Sequence, residues 1–108
     1  MAAIDVGALG TEVAEKIVEI LSGQAKKVAS YAKAEGRKLA VSAAEIAELR
    51  LRGEIDDTEL ALQLEIQKNA SKAVLMTIKG VSKIAVEQAI NGAMDILRGA
   101  IGRATGLG

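Results

Sequence analysis

The chain has 108 residues, half of them hydrophobic, with one tyrosine as its only aromatic residue and no proline, cysteine or histidine. Its 14 basic and 14 acidic residues cancel, so the chain has no excess positive charge to attract nucleic acid. The lack of cysteine and histidine removes the thiol nucleophile, the usual general base and the commonest metal ligands. The composition therefore argues against an enzyme, a metal site or a cofactor, and favours closely packed aliphatic helices.

The first predicted element is a helical arm over residues 11–52. Large aliphatic residues recur at helical spacing along one face of this arm, among them Val13, Ile17 and Ile46. Gly23 is where we most expect a break, which would divide the arm into a short helix and a longer one. The preceding segment, residues 1–10, is rich in glycine and alanine and lacks the basic start of a signal peptide.

The clearest local signal is a turn at the midpoint of the chain. Gly53 is expected to end the first arm in a left-handed conformation. Asp56 has the position of an N-cap, and Glu59, three residues later, completes a capping box. Ile55 and Leu60 occupy the two positions of a hydrophobic staple. The sequence therefore predicts a short turn that joins two antiparallel helices.

This turn, predicted over 53–56, resembles the one in the short C-terminal domains called SHOCT. In those domains a helix ends in Gly-x-Ile and a polar cap begins the next helix. The resemblance extends from about Leu49 to Leu64 and concerns capping alone. It implies a helical turn and no particular function.

A second arm is predicted over residues 57–101, followed by a glycine- and alanine-rich end that covers 99–108. Its apolar residues spread over roughly 200° of the helix circumference, which is more than one antiparallel partner can cover. Either the chain folds back at its glycines into a three- or four-helix bundle, or copies of the chain associate. We expect association, as a dimer of hairpins, a ring, a tube or a filament. The residues predicted to form the contact are Val74, Ile78, Val81, Ala85, Ile90, Met94, Leu97 and Ile101.

Four lysines of the second arm, Lys68, Lys72, Lys79 and Lys83, fall within a narrow stripe. Such a stripe is typical of a solvated helix face. It could also pair with acidic residues of another subunit or contact an anionic surface.

Beyond these lysines the arm becomes apolar nearly all round, and in a hairpin this end lies beside the N-terminus. We expect the end to pack against neighbouring subunits, in which case Leu97→Asp would spare the fold and reduce the oligomer. A membrane interface is the alternative partner.

The sequence thus predicts an all-α fold, a long antiparallel helical hairpin that self-associates into a multi-helix bundle with coiled-coil packing. It favours a non-enzymatic structural or interaction protein whose partner is a second copy or another helical protein, and which takes no small-molecule substrate. The alternative is a peripheral membrane protein. Since no inner apolar stretch is long enough to span a bilayer, we expect a cytoplasmic protein or a component of a soluble particle.

Overall fold

Four helices make up the described part of the chain. The computed structural model describes residues 3–21 and 27–106, and throughout those ranges the regular secondary structure is entirely α-helical, which confirms the all-α prediction. The helices pack as a bundle with extents of 42 × 24 × 18 Å. They are α1 (Val6–Leu21), α2 (Val28–Leu51), α3 (Asp57–Leu75) and α4 (Lys83–Thr105).

The four described helices do not contribute equally to the core. Helices α1, α2 and α4 pack against one another, whereas α3 contacts only α2 and α4. Among the described helices, α1 and α3 are the one pair that does not touch, so they form opposite sides of the molecule. The largest fully buried side chains include Ile17, Leu39, Ile90 and Met94. The core therefore lies between α1, α2 and α4, with α3 laid on one side of it.

The turn between α2 and α3 has the geometry that its sequence predicts. Gly53 has φ of 72°. Its N–H donates to the Arg50 carbonyl at 3.1 Å, and the Glu54 N–H donates to the Leu49 carbonyl at 3.0 Å. These two bonds form a Schellman motif and satisfy the last carbonyls of α2.

The first turn of α3 is capped on both sides. The Asp56 carboxylate accepts from the Glu59 N–H at 2.8 Å, and the Glu59 carboxylate accepts from the Asp56 N–H at 3.0 Å. Ile55 is buried and Leu60 packs against the core, which fixes the direction in which the chain enters α3.

The expectation of one continuous second arm over 57–101 is wrong. Helix α3 ends at Leu75, and α4 begins only at Lys83. Between them Gly80 has φ of 97°, a conformation that glycine adopts without steric cost and that reverses the chain. Ser82 then begins α4, since its hydroxyl accepts from the Ala85 N–H at 3.1 Å. The chain's own fold-back therefore covers much of the wide apolar surface for which a second copy was expected.

The first arm also differs from its expected bounds. Helix α1 begins at Val6 rather than near residue 11, and α2 begins at Val28, so the arm consists of two helices. The predicted break at Gly23 lies outside the described residues. Helix α2 continues without interruption through Gly36.

Glycine permits α1 and α2 to cross at close range. A Cβ added to Gly36 would lie 2.7 Å from the Gly10 carbonyl oxygen and 3.2 Å from the Cβ of Ala14. A Cβ on Gly10 would lie 3.7 Å from that of Ala40. Because small residues stand on both sides of the crossing, the two backbones approach more closely than larger side chains would allow.

Candidate interaction surface

Helix α3 is buried on one narrow face only. Three of its 19 residues, Leu64, Ser71 and Leu75, are buried. At 100° per residue they fall on one side of the helix, and the side directly opposite carries Leu62 and Ile66. These two side chains are 60% and 55% exposed. Helix α3 therefore has an apolar face that is exposed in the described part of the molecule.

The exposed residues of this face form a regular stripe. Leu62, Ile66, Asn69 and Ala73 of α3 and its C-cap residue Met76 are all exposed and lie within about 80° of one another around the helix axis. Their spacing alternates between four and three residues, which is the spacing of the contact positions in a coiled coil. We call these five residues the α3 stripe. It is about 21 Å long.

Two further exposed aliphatic residues lie close to α3 in the chain. Within the described part of the chain, every large hydrophobic residue that is markedly exposed falls between Leu51, at the end of α2, and Ile84, in the first turn of α4. Ile84 precedes Glu87 by one helical turn, and the Glu87 carboxylate contacts Lys72 of α3. Ile84 therefore extends the apolar surface beside the end of the α3 stripe.

Charged side chains flank one edge of the α3 stripe. Glu65 and Lys72 both lie on the edge that faces α4, one near each end of the stripe. The opposite edge has Glu59 near its start, followed by the uncharged Gln63 and Ala70. The α3 stripe thus has one edge with a negative and a positive charge seven residues apart.

The residues that the sequence predicted for self-association lie elsewhere. Val74 and Val81 are half-buried beside the α3–α4 connection. The other six are buried within the bundle of the single chain, and they are Ile78, Ala85, Ile90, Met94, Leu97 and Ile101. Because these side chains already fill the core between the chain's own helices, an Asp at Leu97 would disrupt the fold rather than spare it.

One lysine of the predicted stripe, Lys72, forms an ion pair with a carboxylate of its own chain. The Lys72 Nζ lies 3.0 Å from Glu87 Oε1. The hydrogen bond from Lys72, aided by the charges of Lys83 and Lys68, holds the pKa of Glu87 below its ordinary value. Lys79 is exposed in the α3–α4 connection. Lys68 Nζ lies 4.0 Å from Glu65 Oε1. Two of the four lysines therefore pair with carboxylates of their own chain, which weakens the stripe as an anionic-surface site.

A buried polar contact attaches α3 to α2. The Ser71 hydroxyl donates to Glu35 Oε1 at 3.1 Å, and Lys38 Nζ donates to Glu35 Oε2 at 3.2 Å. Over the described part of the chain, each buried side-chain nitrogen or oxygen has a hydrogen-bond partner. Glu35 therefore has a structural role, since one carboxylate oxygen accepts a hydrogen bond from a hydroxyl and the other accepts one from an ammonium group.

The opposite side of the molecule has an open groove of about 640 Å³ between α1 and α2. Gly7, Gly10 and Ala14 contribute to its lining, with Glu15 on the α1 side and Arg37 on the α2 side. The lining contains carboxylates, cationic groups and one threonine hydroxyl. The hydroxyl is that of Thr11, which donates to the Gly7 carbonyl at 3.0 Å.

In the ranges 3–21 and 27–106, no group of three or more acidic side chains is placed to hold a metal ion. None of the helices in those ranges combines the length and the apolar content that crossing a bilayer requires.

Sequence reasoning missed the α3 stripe, although its signal is present. The alternating spacing from Leu62 to Met76 is visible in the sequence. The sequence alone does not distinguish this stripe from a second periodic set on the same helix, formed by Leu60, Leu64 and Val74. Only the packing of α3 shows which of the two sets faces the core.

No protein-family model, curated protein or solved structure matches this chain. The α3 stripe is therefore interpreted from its own residues and geometry.

Proposed function

We propose that the protein is a non-enzymatic structural or interaction protein that assembles with copies of itself through the α3 stripe. This proposal rests on the contrast between the two opposite faces of α3. One face holds the helix to the bundle, and the other presents Leu62, Ile66 and Met76 to solvent at coiled-coil spacing. A regular apolar stripe on an otherwise charged helix is typical of a contact with another helix.

The size of the stripe sets the expected strength of assembly. A single helix face about 21 Å long offers less contact area than a standard protein interface, even when Ile84 is added. We therefore expect concentration-dependent association in place of a permanently associated oligomer.

The peripheral membrane alternative has less support from the geometry. It relies on an apolar C-terminal end, but Leu97 and Ile101 of that end are buried in the bundle. The α3 stripe also lacks the tryptophan and phenylalanine side chains that commonly anchor a protein at a membrane surface.

Light scattering coupled to size-exclusion chromatography, over a concentration series, tests the proposal. We expect the mass of the wild-type protein to rise with concentration, and Ile66→Asp to remain a monomer with unchanged helicity. Ala34→Asp is the control, because Ala34 is exposed on α2 away from the stripe. A wild-type protein that is monomeric at every concentration would refute self-assembly. Binding of that monomer to anionic vesicles would favour the membrane alternative.

A further inference from the structure

We infer that two copies pair through their α3 helices in antiparallel orientation, related by a twofold axis near Asn69. This inference rests on the proposed self-assembly and specifies its geometry. The partner is a second copy of the chain, and the argument comes from the symmetry of the residues on the α3 stripe and along its charged edge.

The apolar residues and the charged pair have a common centre. The α3 stripe extends from Leu62 to Met76, so its midpoint is Asn69. Glu65 and Lys72 lie on either side of the same point, to within one residue. A twofold axis at this position therefore places Leu62 against Met76 of the second copy.

The same axis brings opposite charges together twice. The charged edge of one antiparallel α3 meets the same edge of the other, so Glu65 of each copy lies across from Lys72 of the other. Lys72 is bonded to Glu87 within its own chain, but an ammonium group has three donors and accommodates a second carboxylate. In a parallel pair, the charged edge of one helix would instead meet the opposite edge of the other, which carries Gln63 and Ala70, so neither Glu65 nor Lys72 would face an opposite charge there.

The polar residue of the stripe fits this axis. Asn69 is exposed in the single chain and has both a donor and an acceptor in its amide. At the twofold axis the two Asn69 amides face each other and can hydrogen-bond reciprocally. A single polar residue at a coiled-coil contact position is known to select register.

The arrangement also limits the assembly to two chains. An isologous contact uses the same surface on both copies, so it closes on itself. If the α3 stripe instead occupied the groove between α1 and α2 of a neighbour, each copy would retain a free stripe or a free groove, and growth would continue into a ring or filament.

Single-cysteine cross-linking determines the orientation, because the natural chain has no cysteine. Leu62→Cys and Met76→Cys are both at exposed positions, so each variant should keep the fold. On oxidation of an equimolar mixture, we expect a disulfide that joins one Leu62→Cys chain to one Met76→Cys chain. We expect little disulfide within either variant alone. Efficient dimerisation of Leu62→Cys by itself would show parallel pairing and overturn the inference.

Charge reversal provides the second measurement. Glu65→Lys should weaken the wild-type dimer roughly tenfold, because two opposite-charge contacts become two like-charge contacts. Glu65→Lys combined with Lys72→Glu and Glu87→Lys, which keeps opposite charges at positions 72 and 87 within the chain, should restore most of that loss. If neither change alters the dissociation constant, the antiparallel contact is absent.

Different results would refute the proposed self-assembly and the proposed antiparallel pairing. A wild-type protein that associates without the mixed disulfide refutes antiparallel pairing and leaves self-assembly intact. A mass that grows beyond two chains points to docking in the groove and also overturns the twofold arrangement. A wild-type protein that never associates refutes self-assembly itself.

Discussion

The hydroxyl of Ser71 on α3 donates a hydrogen bond of 3.1 Å to the carboxylate of Glu35 on α2, and each residue is only 3% exposed. Helix α3 buries two other residues, Leu64 and Leu75. This contact is therefore a large part of what attaches α3 to the bundle.

Removing the Ser71 hydroxyl should destabilise the protein. Ser71→Ala leaves a buried carboxylate oxygen without its donor, which costs about 1–3 kcal/mol. Urea unfolding followed by circular dichroism measures the change. Ser30→Ala is the matched control, because Ser30 is exposed and its hydroxyl donates to the backbone carbonyl of Lys27. Equal effects of the two substitutions would contradict a special role for the buried contact.

The crossing of α1 and α2 makes a prediction about glycine. Gly36→Ala places a methyl group 2.7 Å from the Gly10 carbonyl oxygen, so the helices must separate, and we expect a loss of about 1–3 kcal/mol. Gly92→Ala is the control in α4, since the atoms nearest to its methyl group belong to the side chains of Lys16, at 3.0 Å, and Ile20, at 3.4 Å, and not to a backbone. That change should be neutral or stabilising, because alanine favours a helix by about 1 kcal/mol over glycine. Thermal unfolding of both variants decides the matter, and similar melting temperatures would refute the tight crossing.

An aspartate at Leu97 should prevent stable folding. Leu97 is 1% exposed in the core, so a charged side chain there is expected to cost more than about 4 kcal/mol, a large part of the stability of a small domain. Leu62→Asp, on the exposed face of α3, should retain the helical circular dichroism signal and cooperative melting. A well-folded Leu97→Asp protein would mean that α4 does not pack as described.

The Glu87–Lys72 pair should contribute to stability in a pH-dependent way. The pKa of Glu87 is lower in the folded state than its ordinary value of 4.5, so the folded protein holds its carboxylate charged more strongly than the unfolded chain does. The contribution is complete above about pH 4.5 and is lost as pH falls below it. We therefore expect Glu87→Gln to melt slightly lower than wild type at pH 7.

Acid titration of the melting temperature provides the check. The difference between wild type and Glu87→Gln should vanish at low pH, and roughly 1 M salt should also reduce it. A difference that persists unchanged at acidic pH would exclude the ion pair as its cause.

The parts of the fold that local chemistry determines could be predicted from the sequence. Gly53, Asp56 and Glu59 act within a few residues of one another, so the turn between α2 and α3 is apparent without knowledge of the rest of the chain. The all-α class follows in the same way from helical spacing and the absence of proline.

The features that depend on contacts between distant residues could not be predicted. Glu35 and Ser71 are 36 residues apart in the chain. Gly36 and Gly80 are both glycines within segments predicted to be helical, yet Gly36 permits a helix crossing and Gly80 lies in the connection between two helices. The wide apolar surface indicated that α4 needs several neighbours, but it did not indicate whether these come from the same chain.

The limited burial of α3 has a consequence for local unfolding. Three buried residues fasten α3, against ten in α4, so α3 can detach while the core of α1, α2 and α4 stays formed. Its backbone amides should therefore exchange with solvent deuterium sooner than those of α4. If copies pair through the α3 stripe, each partner also holds the other's α3 in place, and amide exchange in α3 should slow as protein concentration rises.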